Sequence, residues 1–361
     1  MRKRYLSIYS LWKLVFTWKL SVFRYLMHEI FVCLVLYYLV AGMFYLLIAN
    51  DKKLFHTFLA VIDPINDLTQ LIPYSFLIGS IITIALGRWW GLVSEFPQLN
   101  DAASAVQTFI QAQEENQKTQ QMSAIVWDLQ HAINRYLNLA WILSLRDISF
   151  EINSRFSSTR IHQKKVEHVK DVVQVINRDS VVMATLGHLI TASELELMRD
   201  IEIKLGSGAA LEYWLPLEWA LEVCMKAATL GCVSAANLGN LINAIKKLQS
   251  RLEFITYAST FNMPLVYPQC TLLLYYGYYF TLIICHQFDR FSISEEEGPR
   301  VAGWELLLPI VPFTRVLAWV GTFKMGLSLI NPLTEKKGFF PTNEILDRNL
   351  RGMNKFRSHS W

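Results

Sequence analysis

Two uninterrupted apolar runs constrain this chain more than any other feature in it. Ile30–Asn50, "IFVCLVLYYLVAGMFYLLIAN", holds 21 residues without a charge, and Leu68–Gly87 holds 20. At about 1.5 Å per residue, either run as a helix reaches across a bilayer's hydrocarbon core of roughly 30 Å. A soluble helix seldom stays apolar on every face for that length, because one face must meet water. Two further runs are less pure. One is 263–285, "MPLVYPQCTLLLYYGYYFTLIIC", between Glu253 and Asp289. The other is 304–323, "WELLLPIVPFTRVLAWVGTF", which carries Glu305 and Arg315 and whose Pro309 and Pro312 are expected to break its helix. The reading is a polytopic membrane protein with four transmembrane segments, at about 30–50, 68–90, 263–285 and 304–323.

Not all of the chain belongs in lipid. Hydrophobic residues make 53% of it and charged ones 18%, and its mean hydropathy of +0.26 is too low for a chain wholly in the bilayer. The polar mass lies in residues 91–255, where "DAASAVQTFIQAQEENQKTQQMSAIVWDLQHAINRYLNLAWILSL" keeps apolar residues at helical spacing. Within it Thr191 and Glu194 stand three residues apart, as an N-cap and its capping-box partner do. Few stretches alternate as strands would. The fold class is therefore all-α: four spans, a large helical cytosolic insert over 91–255 and a short cytosolic tail over 324–361. Basic residues set the orientation. Lys3, Arg4, Lys13, Lys19 and Arg24 precede the first span and Arg88 follows the second. Lys246, Lys247 and Arg251 precede the third, and Lys324, Lys336 and Lys337 follow the fourth. Segments 51–67 and 289–303 are near neutral or acidic and read as external. Both termini are then cytoplasmic, in a multi-pass protein assigned to the plasma membrane. The basic N-terminus lacks the apolar core and small-residue site of a cleaved signal peptide.

Several function classes fall away. A net charge of +4, without a basic stripe of interleaved aromatics, argues against nucleic acid. Cys33, Cys224, Cys232, Cys270 and Cys285 form no C-x-x-C pair and read as buried free thiols. There is no G-x-S-x-G, P-loop, HExxH or GxGxxG, and the histidines are scattered, so no enzyme is expected. Glu295, Glu296 and Glu297 read as a solvated loop. Arg315, inside a span, reads either as a subunit contact, with the chain near Glu305 or an outer carboxylate as partner, or as the mark of a segment only partly in lipid.

The second run has internal structure. A helix starting near Pro73 puts Ile72, Phe76 and Ser80 on one stripe and Gly79, Thr83 and Gly87 on a neighbouring one. The small residues would let another helix approach. The apolar stripe could line a constriction that gates by dewetting. Periodicity alone favours ordinary core or lipid contacts for Ile72 and Phe76.

A family resemblance changes that balance. "QLIPYSFLIGSIITIALGRWW" (70–90) resembles the second transmembrane segment of bestrophins. The resemblance continues through "EFPQLND" (95–101), "LSLRDIS" (143–149), "YWLPLEWALEVCMKAA" (213–228), "MPLVYPQ" (263–269) and "HQF" (286–288), to "LINPLTEKKGFFPTNEILDRNL" (329–350). It implies a calcium-activated chloride channel, a homopentamer around one central pore. By resemblance Ile72, Phe76 and Ser80 form the pore neck. Ser80 stands where the family usually has an aromatic, which should leave that level wider and wetter. The resemblance also puts the anion path past the helix start at Pro73, Tyr74 and Ser75, which suits the positive end of a helix. A second, cytosolic aperture falls near Leu238.

The family's calcium clasp follows "INP", and here the chain departs from it. Calcium asks for about six to eight oxygens, several of them charged. This stretch offers Asn331 and Glu335, while Lys336 and Phe339 stand where carboxylates are expected. An ammonium repels the ion and a phenyl ring cannot ligate it, so the clasp reads as degenerate, with no high-affinity metal and no cofactor. Aspartates at 336 and 339 together should then create calcium dependence. The expected function is an anion channel, with chloride permeant, whose calcium control is weakened or lost. The alternative is a non-conducting or regulatory subunit assembling with a conducting bestrophin. Its partners are copies of itself or a related subunit, the lipid bilayer and small anions.

Overall fold

The structure, a computed structural model, describes residues 22–47, 73–111, 120–157, 168–261, 263–288, 310–334 and 340–357, with scattered positions between 53 and 71. Among the described residues there are fourteen helices and no strand. The chain divides into two compact units, each discontinuous in sequence: Met1–Arg88 with Met263–Ile330, and Trp89–Asn262 with Asn331–Trp361.

The first unit contains α1 (Val22–Leu47), most of α2 (Tyr74–Ser94), α12 (Val266–Phe288) and α13 (Ile310–Ile330). These are the four apolar runs. α1 starts at Val22, ahead of the charge-free stretch, and takes in Glu29 near its beginning. That carboxylate accepts from the Lys324 ammonium on α13, pairing a charge of one helix with a charge of the other. Pro312 does not break its helix. α13 is described from Ile310 and runs on through Pro312. Pro309 lies outside the described residues. Leu26, Tyr37, Ile78, Ile81, Tyr275, Tyr279, Val316, Val320 and Phe323 form the core among the four helices. Leu26–Met43 and the stretch from Ser75 are long and apolar enough to cross a membrane. Only 17% of the first window is covered by the chain, unlike a soluble core helix.

Close helix approach in this unit does not use the expected glycines. A Cβ on Gly79 or Gly87 would meet nothing within 4 Å. Instead Gly326 of α13 lies against α2, where a Cβ would stand 3.4 Å from Ile82 Cγ1 and 3.8 Å from Ile82 Cα.

The second unit is a helical bundle around α4 (Gln120–Ile148), buried on every face from Ile133 to Arg146. α3 (Leu99–Phe109), α10 (Trp214–Thr229) and α11 (Ala235–Thr260) pack on it. Near them lie α5 (Phe150–Phe156), α6 (Val169–Arg178), α7 (Ser180–Thr185), α8 (Ala192–Leu205), the single turn α9 (Ser207–Ala210) and α14 (Thr342–Arg357). The capping box at Thr191 is present, with both reciprocal bonds to Glu194. α10 ends in a Schellman turn: Gly231 takes φ +75°, and the Cys232 N–H donates to the Ala227 carbonyl at 2.9 Å.

Candidate functional site

At the start of α2, the Pro73 carbonyl accepts the N–H groups of Phe76 at 3.0 Å and Leu77 at 3.1 Å. Pro73 thus caps the helix rather than entering it. Pro73 and Ser75 are exposed. Ile72 and the side chain of Tyr74 lie outside the described residues. Phe76 is 70% exposed, a large apolar ring that its own chain leaves uncovered. One turn on, Ser80 is half-buried. Its Oγ donates to the Leu77 carbonyl at 2.8 Å and lies 2.6 Å from the Tyr267 hydroxyl of α12. The serine side chain therefore joins two helices and does not hang free. Further along α2, the Thr83 Oγ1 donates to the Gly79 carbonyl at 2.9 Å.

Arg315 is held by a residue of α12. Its guanidinium donates to the Tyr278 hydroxyl of α12 at 3.1 Å. Glu305 lies outside the described residues. Cys270, expected buried, is exposed on α12, while Cys224 and Cys232 are buried and Cys33 is half-buried. Burial pushes the Cys224 thiol up to about 12. Such a thiol is inert at neutral pH.

In the second unit, Leu238 sits in the first turn of α11 and packs half-buried against the main core. The turn is capped by Ser234, whose Oγ accepts the Asn237 N–H at 3.3 Å.

Of the clasp residues, Asn331 is described; Glu335, Lys336 and Phe339 are not. The Asn331 backbone carbonyl accepts both the Thr334 N–H at 3.3 Å and the Thr334 hydroxyl at 2.9 Å. Its two lone-pair directions are thus already occupied within the turn. Among the described residues, no three His, Cys, Asp or Glu side chains gather as metal ligands.

The segment bearing those residues is pinned at both ends to the start of α5. The Phe150 N–H donates to the Leu333 carbonyl at 3.0 Å. Beyond the segment, the Thr342 hydroxyl lies 2.8 Å from Ser149 Oγ, and Glu151 accepts the Asn343 N–H at 3.2 Å. Arg155, on the same short helix, holds α14 itself. It donates through Nε and Nη2 to the two oxygens of Asp179 at 2.8 and 2.9 Å, and through Nη1 to Asp347 at 2.8 Å. Asp179 also caps α7 by accepting from Val181 and Val182. Burial raises the Asp179 carboxyl, but Arg155 and these N–H groups outweigh it and leave it below the ordinary carboxylate range. Asp347 belongs to "DRN", which gains a role the sequence did not suggest. Arg155 and Asp179 carried no sequence signal at all. Tyr267 lay inside a quoted motif, "MPLVYPQ", without a role.

A second buried cluster stiffens α4. Glu194 accepts from Arg135 and from the Tyr136 hydroxyl, both at 2.6 Å, and from the Thr191 N–H at 2.8 Å. Burial and the bond to Glu194 push the Tyr136 phenol up to about 12, so it remains a donor. The Tyr136 ring meets Trp219 edge-on at 5.6 Å, which gives the "YWLPLEW" motif its packing role. The Trp141 N–H donates to the Pro97 carbonyl at 3.1 Å and anchors "EFPQLND" in the same way.

Comparison with known proteins agrees with this arrangement. A family model described as "Bestrophin, RFP-TM, chloride channel" matches residues 3–356. Bestrophin-1 of Homo sapiens is 24% identical over 340 residues, covering 94% of this chain and 51% of that protein. Bestrophin homolog 15 of Caenorhabditis elegans is 27% identical over 352 residues, covering 95% of this chain and 59% of the other. The chain thus spans about half the length of the curated relatives it matches. Among solved structures, a variant of a bacterial bestrophin homolog from Klebsiella pneumoniae superposes with a TM-score of 0.58. The two share 14% identity, over 91% of this chain and 99% of the bacterial one. That likeness is one of fold.

Proposed function

Because this chain belongs to the bestrophin family, we propose that it is the pore-forming subunit of an anion channel, with chloride permeant and α2 as the pore wall. The observation that carries this reading is Phe76. It is 70% exposed one turn into an apolar helix of membrane-spanning length, on the stripe shared with Ser80. A ring of such side chains around a common axis makes a constriction that water leaves readily. By the family resemblance Ile72 belongs to the same neck. Pro73, Tyr74 and Ser75 supply the helix start past which anions travel, where the dipole favours negative charge. Leu238 marks the cytosolic aperture. Several copies of the chain, five by resemblance, close the pore, with both termini on the cytoplasmic side.

Calcium control is weakened or lost in this reading. Support comes from the donor set: Lys336 and Phe339 supply no side-chain oxygen, and the Asn331 backbone carbonyl accepts twice from Thr334. The test is planar-bilayer current from purified protein in a chloride gradient, with calcium chelated and then added. Chloride-selective current in both conditions is the expected result. Current that requires calcium overturns the clasp argument. Silence in both, from intact oligomers, overturns the pore reading in favour of a non-conducting partner subunit.

A further inference from the structure

Resting on the assignment of α2 as the pore wall, we propose that Ser80 withholds the Tyr267 phenol of α12 from the anion path, so that the level of Ser80 strips water from anions and gives no hydrogen bond back. The argument is a count of protons. A serine hydroxyl has one to give. The Leu77 carbonyl cannot donate, so the 2.8 Å bond to it takes that proton. The 2.6 Å contact between Ser80 and Tyr267 must then run the other way, from the phenol O–H to the serine Oγ. The result is a directed chain from Tyr267 to Ser80 to Leu77. Both hydroxyl protons are spent inside the protein.

A serine at this level would ordinarily be read as a polar, wet rung. Here it offers a passing anion no O–H donor. The level stays a dehydrating one, although its aromatic side chain has been replaced. An anion crossing it sheds water and receives nothing in return. Weakly hydrated ions such as thiocyanate tolerate that better than chloride does. The latent donor is Tyr267, which its own chain leaves 36% exposed. Release it from Ser80 and its proton can replace a water on the anion.

This gives an inverted prediction. Ser80→Ala makes position 80 more apolar, yet frees the Tyr267 hydroxyl. The experiment measures chloride-to-thiocyanate permeability ratios from bi-ionic reversal potentials in planar bilayers, on full-length protein that elutes as the intact oligomer. Ser80→Ala is expected to raise chloride relative to thiocyanate by about two- to twelvefold, the range that the net contribution of one ordinary hydrogen bond supplies. Tyr267→Phe and the double variant should keep the wild-type ratio. Ser80→Gly removes the same hydroxyl and gives the second probe if Ser80→Ala does not assemble. A ratio that falls or stays put in the hydroxyl-free variants overturns the proposal, as does a rise that survives Tyr267→Phe. Wild-type protein that passes no chloride overturns the pore reading itself, an outcome distinct from these.

Discussion

Arg155→Ala should loosen α14 and destabilise the second unit. Arg155 makes three charge-assisted bonds to two carboxylates, from a side chain 17% exposed, to Asp179 at 14% and Asp347 at 31%. Breaking a fully buried pair costs about 3–5 kcal/mol, because the stranded charge cannot reach water. Two features reduce that figure. Asp179 keeps the Val181 and Val182 N–H groups as partners, and Asp347 already has partial access to solvent. The expected loss is about 2–3 kcal/mol. For a unit of this size, each kcal/mol moves Tm by roughly 2–4 °C, so the fall should be about 4–12 °C. Asp347→Asn removes one charge from the more exposed arm and should cost about 1 kcal/mol or less. Arg155→Lys keeps the charge but not the planar fork, and should fall between the two. The assay is tryptophan fluorescence or circular dichroism of detergent-solubilised protein, heated at one fixed scan rate. An Arg155→Ala Tm within 2 °C of wild type, about the resolution of such a scan, refutes the reasoning. So does an Asp347→Asn variant as damaged as Arg155→Ala, since that would put the energy on the exposed arm.

Acid should act through the same chemistry. Burial raises Glu194, but the Thr191 N–H, Tyr136 and Arg135 outweigh it, so the folded carboxyl titrates below its ordinary value, as does that of Asp179. A depressed folded value means that the contribution to stability is present above the unfolded value of about 4 and is lost as pH falls through the folded one. Wild-type Tm should therefore drop between pH 5 and 3, and Glu194→Gln should start lower and respond less; a flat wild-type profile contradicts this. Gly326→Leu should lower Tm by forcing a side chain against Ile82, where a Cβ alone already meets Cγ1 at 3.4 Å. Overpacking of that kind costs about 1–3 kcal/mol, and a variant as stable as wild type would show that α13 and α2 do not meet there.

What could be read from the sequence was local or periodic. Charge-free runs announce helices because lipid offers the backbone no partners, so each peptide group must bond within its own segment. The capping box at Thr191 needs only three residues of context and was legible for that reason. The proline in α13 was misread because its effect depends on its place in the helix as well as on its presence, and α13 runs on through Pro312. Glycine spacing says less: close approach is a property of two helices, and within this chain Gly326 supplies it.

Pairings across long sequence separations left no such trace. Arg155 meets Asp179 and Asp347, 24 and 192 residues away, and nothing near any of the three announces the others. Ser80 is the sharper case. Taken alone, replacing an aromatic by serine in an apolar stripe predicts a wetter rung. The prediction changes once Tyr267, 187 residues on, is seen to give its proton to that serine while the serine gives its own to Leu77. Polarity at a constriction is set by protons left over after internal bonds are made. A hydroxyl pair joined in sequence to a carbonyl leaves none. The chemistry of position 80 is therefore a property of the contact between α2 and α12, and the residue that tunes it lies on the helix from which no neck residue was expected.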